Sequence, residues 1–153
     1  REELQVGSNL ESDCEVLWPA VEALIEKNIS ISALRDATRG GLSAVLNEWA
    51  DSSDICLEIE EGAVPICDEV QGMCELFGFD AMDFANEGTF ILAVPAMHAQ
   101  LALEVLQQFD FCPDAKIIGR ATTNKPGKVI LHSAYGSSRY LELPKGELLP
   151  RIC

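Results

Sequence analysis

The fold of this chain is decided by one stretch, Leu34-Arg35-Asp36-Ala37-Thr38-Arg39-Gly40-Gly41, which stands directly before an apolar helix pattern. The two glycines allow positive φ angles and a close approach of the backbone. The N-terminus of the helix that follows presents free N–H groups and the positive end of its dipole, which favour an anion. With the two arginines and the threonine hydroxyl as further donors, the stretch suits phosphate or carboxylate. The alternative is a glycine turn with solvated charges.

Apolar periodicity predicts the elements around this stretch. The helix after the glycines carries Leu42, Val45, Leu46 and Trp49 at i, i+3, i+4 and i+7. Further helices are predicted near residues 17–25, 65–78 and 96–108, and strands near 55–59, 90–94, 117–120, 129–131 and 140–143. This order predicts an α+β domain with a mixed β-sheet flanked by helices.

Two local patterns carry more specific expectations. Ser12-x-x-Glu15 resembles a capping box ahead of the first helix. The alternative is that Pro19 lies in the first turn and the helix starts nearer Trp18. The turn residues at 125–128 predict that the strand at 129–131 is the hairpin partner of the strand at 117–120.

The length of 153 residues suits one domain that buries about 70% of its unfolded surface. From Pro144 onward the chain has no hydrophobic period and carries a second proline, Pro150. We therefore expect a domain over residues 1–143 and a flexible tail over 144–153. The chain opens at Arg1 without an initiator Met, so we expect it to be a piece of a longer protein.

The composition argues against several classes of partner. With 25 acidic and 11 basic residues the net charge is −14, and no basic patch favours nucleic acid or an anionic membrane surface. No apolar run reaches the length of a membrane span, and no signal peptide is recognised. The six cysteines form no C-x-x-C pair and only two histidines are present, so no metal site is predicted. We expect reduced thiols and a cytoplasmic protein.

The chain ends on a thiol, Cys153, after Pro150-Arg151-Ile152. A thiolate is a strong nucleophile that forms covalent adducts at neutral pH. The α-carboxylate of the same residue disfavours ionisation and Arg151 favours it, so we expect a carrier thiol that a partner activates. The roughly nine residues after Pro144 reach ~30 Å when extended, far enough to carry the thiol into a neighbouring site. The alternative is a frayed terminus that happens to finish on cysteine.

A second candidate group is Asn86-Glu87-Gly88, predicted to form a loop that enters the buried strand at 90–94. A carboxylate on a loop of a rigid scaffold can act as a general base. The alternative is a solvated surface glutamate.

Taken together, three stretches resemble the C-terminal half of the HypE family of hydrogenase maturation proteins, which are carbamoyl dehydratases. They are Leu34 to Gly41, Phe84-Ala85-Asn86-Glu87-Gly88 and Leu149-Pro150-Arg151-Ile152-Cys153, and the resemblance runs from about Ser12 to the end. That family is part of the superfamily of aminoimidazole ribonucleotide synthetase, selenophosphate synthetase and thiamine-monophosphate kinase. The resemblance implies a C-terminal domain of the aminoimidazole ribonucleotide synthetase type.

The resemblance also implies a reaction. In this family the carbamoyltransferase HypF loads a carbamoyl group onto the terminal cysteine, and ATP drives loss of water to give a thiocyanate. The cyanide then passes to iron held by the HypC–HypD complex, for a nickel–iron hydrogenase. By this resemblance Cys153 is the covalent carrier and Glu87 the candidate base. The candidate nucleotide-binding residues are Arg35, Asp36, Thr38, Arg39, Gly40 and Gly41.

ATP with Mg²⁺ is implied as well, bound mainly by an N-terminal half outside this chain, and the full-length protein is implied to be a homodimer. Two other functions account for part of the pattern. Another ATP-dependent enzyme of the superfamily would explain the glycine stretch but not the terminal cysteine. The other is a non-enzymatic, acidic interaction module with a redox-active tail, for which a mixed disulfide at Cys153 is expected.

Overall fold

A computed structural model of the protein describes residues 12–143. Its helices are α1 (Trp18–Glu26), α2 (Gly41–Ser53), α3 (Asp68–Phe77) and α4 (Ala96–Leu106). Its strands are β1 (Ala33–Ala37), β2 (Cys56–Glu60), β3 (Asn86–Ala93), β4 (Gly119–Thr122), β5 (Lys128–His132) and β6 (Ser138–Tyr140). Single turns of 3₁₀-helix occupy Glu61–Ala63 and Ala81–Asp83. The predicted α+β class, with helices flanking a mixed sheet, is confirmed; the predicted tail over 144–153 lies outside the described residues.

The strands form two sheets. The larger has the order β4-β2-β5-β6 and is mixed, because β2 runs parallel to β5 and antiparallel to β4. The smaller is the antiparallel pair β1-β3. Strand β1 was not predicted from the periodicity, because Ala37 is its only fully buried residue and charged side chains occupy its centre.

The hairpin predicted between β4 and β5 is wrong, because both strands flank β2. Leu57 of β2 pairs with Ala121 on one side and with Val129 on the other. The turn between the outer strands passes the start of β2, where the Gly127 N–H donates to the Ile55 carbonyl at 2.9 Å. The central position buries both edges of the apolar strand β2, and a local turn pattern carries no information about a third strand between its two arms.

The first helix begins later than the capping-box pattern predicts. Helix α1 starts at Trp18 with Pro19 in its first turn, and no side chain caps it. The Ser12 hydroxyl instead accepts a bond from the Cys14 N–H at 3.3 Å. The residues before α1 are thus left free to contact another part of the domain.

Two apolar clusters hold the elements together. The larger lies between α2 and the four-stranded sheet and contains Leu46, Ala50, Leu57, Ile59, Met82, Val129, Leu131 and Leu141. The smaller joins α1 to α4 and contains Leu24, Ile29, Ala102 and Val105. Because α2 is packed on the sheet along its length, its N-terminus has a fixed position. None of the helices within residues 12–143 combines the length and apolarity that a bilayer crossing requires.

Candidate functional site

The candidate site lies where β1 ends and β3 begins. Asp36 pairs with Phe90 and Ala37 pairs with Asn86, with a register shift between the two pairs. Such an irregularity releases the chain from the ladder and bends it. It brings residues 38–41, which follow β1, beside the start of β3. The two motifs singled out in the sequence therefore lie at the same end of the small sheet.

Both glycines of the motif have left-handed backbones, with φ of 68° at Gly40 and 61° at Gly41. A Cβ atom on Gly41 would lie 2.4 Å from the Met82 carbonyl oxygen and 2.6 Å from that of Phe84. A side chain at this position is excluded both by the φ angle and by backbone atoms that have little freedom to move. The glycines therefore press the start of α2 against residues 81–84.

Among the described residues, none supplies a hydrogen-bond acceptor to the first N–H groups of α2. Its N-cap residue, Gly40, offers no side-chain acceptor, and the first bond closing the helix runs from the Ala44 N–H to the Gly40 carbonyl at 3.1 Å. The N–H groups ahead of that bond suit an anion. Gly40 and Gly41 are buried, Thr38 is half-buried and Arg39 is exposed. Solvent therefore reaches the motif at Thr38 and Arg39.

The charged side chains of the motif have different partners. Arg35 forms an ion pair with Glu48 of α2. The Thr38 hydroxyl donates to an Asp36 carboxylate oxygen at 3.0 Å. The Arg39 guanidinium makes no hydrogen bond or ion pair with any residue in the described range. Of the two arginines, Arg39 is therefore free to meet an anion and Arg35 is already engaged.

Glu87 lies within β3, so the predicted loop at residues 86–88 is wrong. Its N–H donates to an Asp13 carboxylate oxygen at 3.1 Å, and its exposed carboxylate accepts no hydrogen bond from residues 12–143. A Cβ on Gly88 would lie 2.2 Å from the Asp13 carbonyl oxygen, so only glycine fits there. The segment before α1 thus crosses over the start of β3 and fixes the backbone of Glu87.

Three residues of this region were not predicted as part of it: Asp13, Ser43 and Asp83. Ser43 is fully buried, and its hydroxyl donates to an Asp83 carboxylate oxygen at 2.5 Å. These contacts join residues far apart in the chain, and no local pattern signals them.

Among the described cysteines, Cys14 contacts the site, because its thiol donates to an Asp13 carboxylate oxygen at 3.9 Å. Cys14 and Cys67 are exposed, and Cys74 is buried. Burial raises the pKa of the Cys74 thiol, and burial together with the Glu15 carboxylate raises the pKa of the Cys112 thiol. A raised pKa lowers the thiolate fraction at neutral pH and so the reactivity. The thiol predicted to be reactive, Cys153, lies outside the described residues.

A family model described as "AIR synthase related protein, C-terminal domain" matches residues 1–132. The chain belongs to this family. Among curated members, carbamoyl dehydratase HypE of Escherichia coli strain K12 is 42% identical over 153 residues, which are 100% of this chain and 45% of that protein. A putative hydrogenase expression/formation protein of Methanocaldococcus jannaschii is 39% identical over 153 residues, which are 100% of this chain and 45% of that protein. The predicted resemblance is confirmed, and this AIR synthase related domain spans about 45% of the length of these relatives.

Solved structures give the same family assignment. HypE in a complex with ATP has a TM-score of 0.89 and 35% identity, covering 98% of this chain and 46% of that one. HypE in a HypE–HypF complex has a TM-score of 0.86 and 34% identity, covering 94% of this chain and 46% of that one. The AIR synthase related domain described here therefore has the fold of the corresponding part of HypE.

Proposed function

We propose that this chain is part of an ATP-dependent carbamoyl dehydratase of hydrogenase maturation. Its terminal cysteine carries a carbamoyl group, which is converted to a thiocyanate and supplies cyanide for the iron of a nickel–iron hydrogenase. The observation that carries the proposal is the adjacency of the Gly40-Gly41 helix N-terminus and Glu87 in a domain similar to HypE over its whole length. The names of the curated relatives support the reaction class.

In the proposed reaction the carbamoyl oxygen takes the terminal phosphoryl group of ATP, which releases ADP. The C–O bond to phosphate then breaks, the nitrogen loses its protons, and a C≡N bond remains on sulfur. The overall change converts a carbamoyl thioester and ATP into a thiocyanate, ADP and phosphate. Phosphate replaces hydroxide as the leaving group, so the protein must position an anion and remove protons.

The residues of this chain supply those two tasks. Arg39, Thr38 and the N–H groups at the start of α2 face the phosphate, because they are donors grouped around an uncapped helix N-terminus. Glu87 takes a proton from nitrogen, because its carboxylate is exposed and accepts no bond within residues 12–143. Asp36 accepts the Thr38 hydroxyl until phosphate binds, and the hydroxyl then turns from that carboxylate to a phosphate oxygen. Arg35 acts on the phosphate site indirectly, because its ion pair with Glu48 joins β1 to α2.

ATP and Mg²⁺ are bound, in this proposal, mainly by the part of the full-length protein beyond this chain. Within residues 12–143 no group of three or more His, Cys, Asp or Glu side chains is placed to hold a metal ion. The HypE–ATP structure supports the nucleotide, and the HypE–HypF structure supports HypF as the carbamoyl donor. The HypC–HypD complex as cyanide acceptor, a homodimer and a cytoplasmic location complete the proposal.

The experiment is intact-mass analysis of the full-length protein after incubation with its carbamoyltransferase, carbamoyl phosphate and ATP. We expect a carbamoyl adduct on Cys153 without ATP hydrolysis and loss of one water from that adduct with ATP. Cys153→Ala should abolish both changes and leave the melting temperature almost unchanged, since a chain terminus contributes little to stability. The exposed Cys14 gives the matched control, because Cys14→Ala should load normally.

Three results would contradict the proposal: an adduct on another cysteine, a mixed disulfide in place of a carbamoyl group, or water loss without ATP. The 153-residue chain alone should fold and catalyse no dehydration, because it lacks most of the proposed ATP site.

A further inference from the structure

We propose that Ser43 and Asp83 are a positioning pair that sets the separation between the Gly40-Gly41 turn and Glu87. The two side chains contact neither the proposed phosphate nor the proposed base, and they act on both through the backbone. This inference rests on the proposed function for its effect on catalysis and on the structure for the coupling itself.

The burial of Ser43 is the first observation. Ser43 is 0% exposed, and it is the one polar or charged residue that is buried within residues 12–143. A hydroxyl in such a place destabilises the fold unless it is hydrogen-bonded. Its bond to the Asp83 carboxylate is 2.5 Å long, the short distance of a charge-assisted O–H···O contact. The buried face of α2 thus carries a polar residue, Ser43, whose hydroxyl is hydrogen-bonded to Asp83.

The same two segments are joined a second time, by backbone packing. The Gly41 position lies against the carbonyl groups of Met82 and Phe84, which flank Asp83 on both sides. The start of α2 is thus fixed to residues 82–84 by a steric contact and by a hydrogen bond. Steric contact prevents closer approach, and the Ser43–Asp83 bond prevents separation.

The 81–83 turn is also held on its far side. An Asp80 carboxylate oxygen accepts from the Met82 N–H at 3.0 Å, and the other accepts from Arg139 of β6 at 2.9 Å. From Phe84 the chain runs directly into β3 and Glu87. A shift of this turn relative to α2 would therefore carry Glu87 with it, away from the glycine motif.

The test uses the full-length protein with Ser43→Ala, and Ser52→Ala as the matched control. Ser52 is on the same helix but exposed, and within residues 12–143 its hydroxyl bonds only to the Trp49 carbonyl, at 3.4 Å. For Ser43→Ala we expect carbamoyl loading at the wild-type rate, because loading concerns the terminal thiol. The kcat for water loss per loaded thiol should fall about tenfold or more, with a change in KM for ATP below about threefold. Ser52→Ala should match the wild type in all three quantities.

The acceptor side of the pair gives a rescue experiment. Asp83→Asn keeps a carbonyl oxygen that accepts the Ser43 hydroxyl, so kcat should stay within about threefold of wild type, whereas Asp83→Ala should reproduce Ser43→Ala. The double variant Ser43→Ala/Asp83→Ala should be no slower than either single variant, because the residues act through one shared bond. If the pair only stabilised the fold, Ser43→Ala would lower the amount of folded protein and leave kcat per loaded thiol unchanged. That result would overturn the proposal.

Hydrogen–deuterium exchange separates this proposal from the proposed function. In Ser43→Ala, amides of residues 38–44 and of residues 80–88 should exchange faster together, and in Ser52→Ala neither segment should change. Faster exchange confined to α2 contradicts the coupling. If wild-type protein loads but never loses water, the proposed function fails, and the exchange result alone decides whether the pair joins the two segments.

Discussion

Glu58 on β2 and Glu87 on β3 are glutamates on strands of one domain, in opposite surroundings. The Glu58 carboxylate accepts bonds from Arg120 at 3.0 and 2.8 Å, from Thr122 at 3.3 Å and from Asn124 at 3.2 Å, and its side chain is 11% exposed. The hydrogen bond from Arg120 holds the pKa of Glu58 below its ordinary value. The Glu87 carboxylate is exposed and accepts no bond within residues 12–143.

This difference separates a structural carboxylate from the one that we propose to be reactive. A carboxylate whose lone pairs are all engaged is held in its ionised form and cannot accept a further proton without losing bonds. An exposed carboxylate on a fixed backbone keeps its lone pairs for a substrate. Both residues are glutamates on strands, Glu58 between Leu57 and Ile59 and Glu87 between Asn86 and Gly88, so residue type alone does not distinguish them.

The largest expected effect comes from disturbing the contact between the start of α2 and residues 82–84, which precede Glu87 in the chain. Gly41→Ala places a Cβ atom 2.4 Å from the Met82 carbonyl oxygen at a φ of 61°. We expect the free energy of unfolding to fall by about 3 kcal/mol or more, from the strained backbone and the steric overlap together. Urea denaturation measures the change.

The matched control is Gly127→Ala, at a φ of 69° with open space around the new methyl group. It should cost only about 1–2 kcal/mol, since backbone strain is its one penalty. Equal losses for the two variants would mean that the contact between α2 and residues 82–84 contributes nothing.

The second test replaces each of the two glutamates by glutamine and compares the effects on nitrile formation and on stability. Glu87→Gln in the full-length protein should load carbamoyl normally. It should form nitrile at least about 100-fold more slowly than the wild type, because the proton acceptor is gone. The melting temperature should stay at the wild-type value. Intact-mass analysis over time and thermal unfolding measure the two effects.

Glu58→Gln should give the reverse result, with a lower melting temperature and a normal rate of nitrile formation per folded molecule. It replaces the anion that Arg120 binds and leaves the site untouched. Normal nitrile formation by Glu87→Gln would remove Glu87 from the mechanism.

The smallest expected effect is on the pH dependence of stability. Because the folded-state pKa of Glu58 is lowered from 4.5, its contribution is present above about pH 4.5 and is lost as pH falls through the lower value. Arg120→Ala should flatten the dependence of the urea midpoint on pH below 4.5 and lower the midpoint slightly near neutral pH. An unchanged slope in that acid range would show that Arg120 does not set the pKa.

The sequence predicted most of the elements because their apolar residues repeat at helical or strand spacing, as Leu42 to Trp49 do on α2. It did not predict β1, whose side chains are mostly charged or half-exposed, or the insertion of β2 between β4 and β5. The glycine motif was recognisable because two adjacent glycines before a helix serve few purposes. The contacts of Asp13 with Glu87 and of Ser43 with Asp83 were not, since each joins distant parts of the chain.

By itself the sequence determined the class of the fold, the family and the residue types available for chemistry, because periodicity, composition and short motifs are local properties. Tertiary structure alone decided that, within residues 12–143, Arg35 has an ion-pair partner and Arg39 has none. It also decided that the Glu58 carboxylate accepts four hydrogen bonds in that range while the Glu87 carboxylate accepts none, and that Ser43 and Asp83 join the start of α2 to the segment before β3. The physical reason is that a side chain's charge and reactivity depend on its neighbours in space, and strand order and register choose those neighbours.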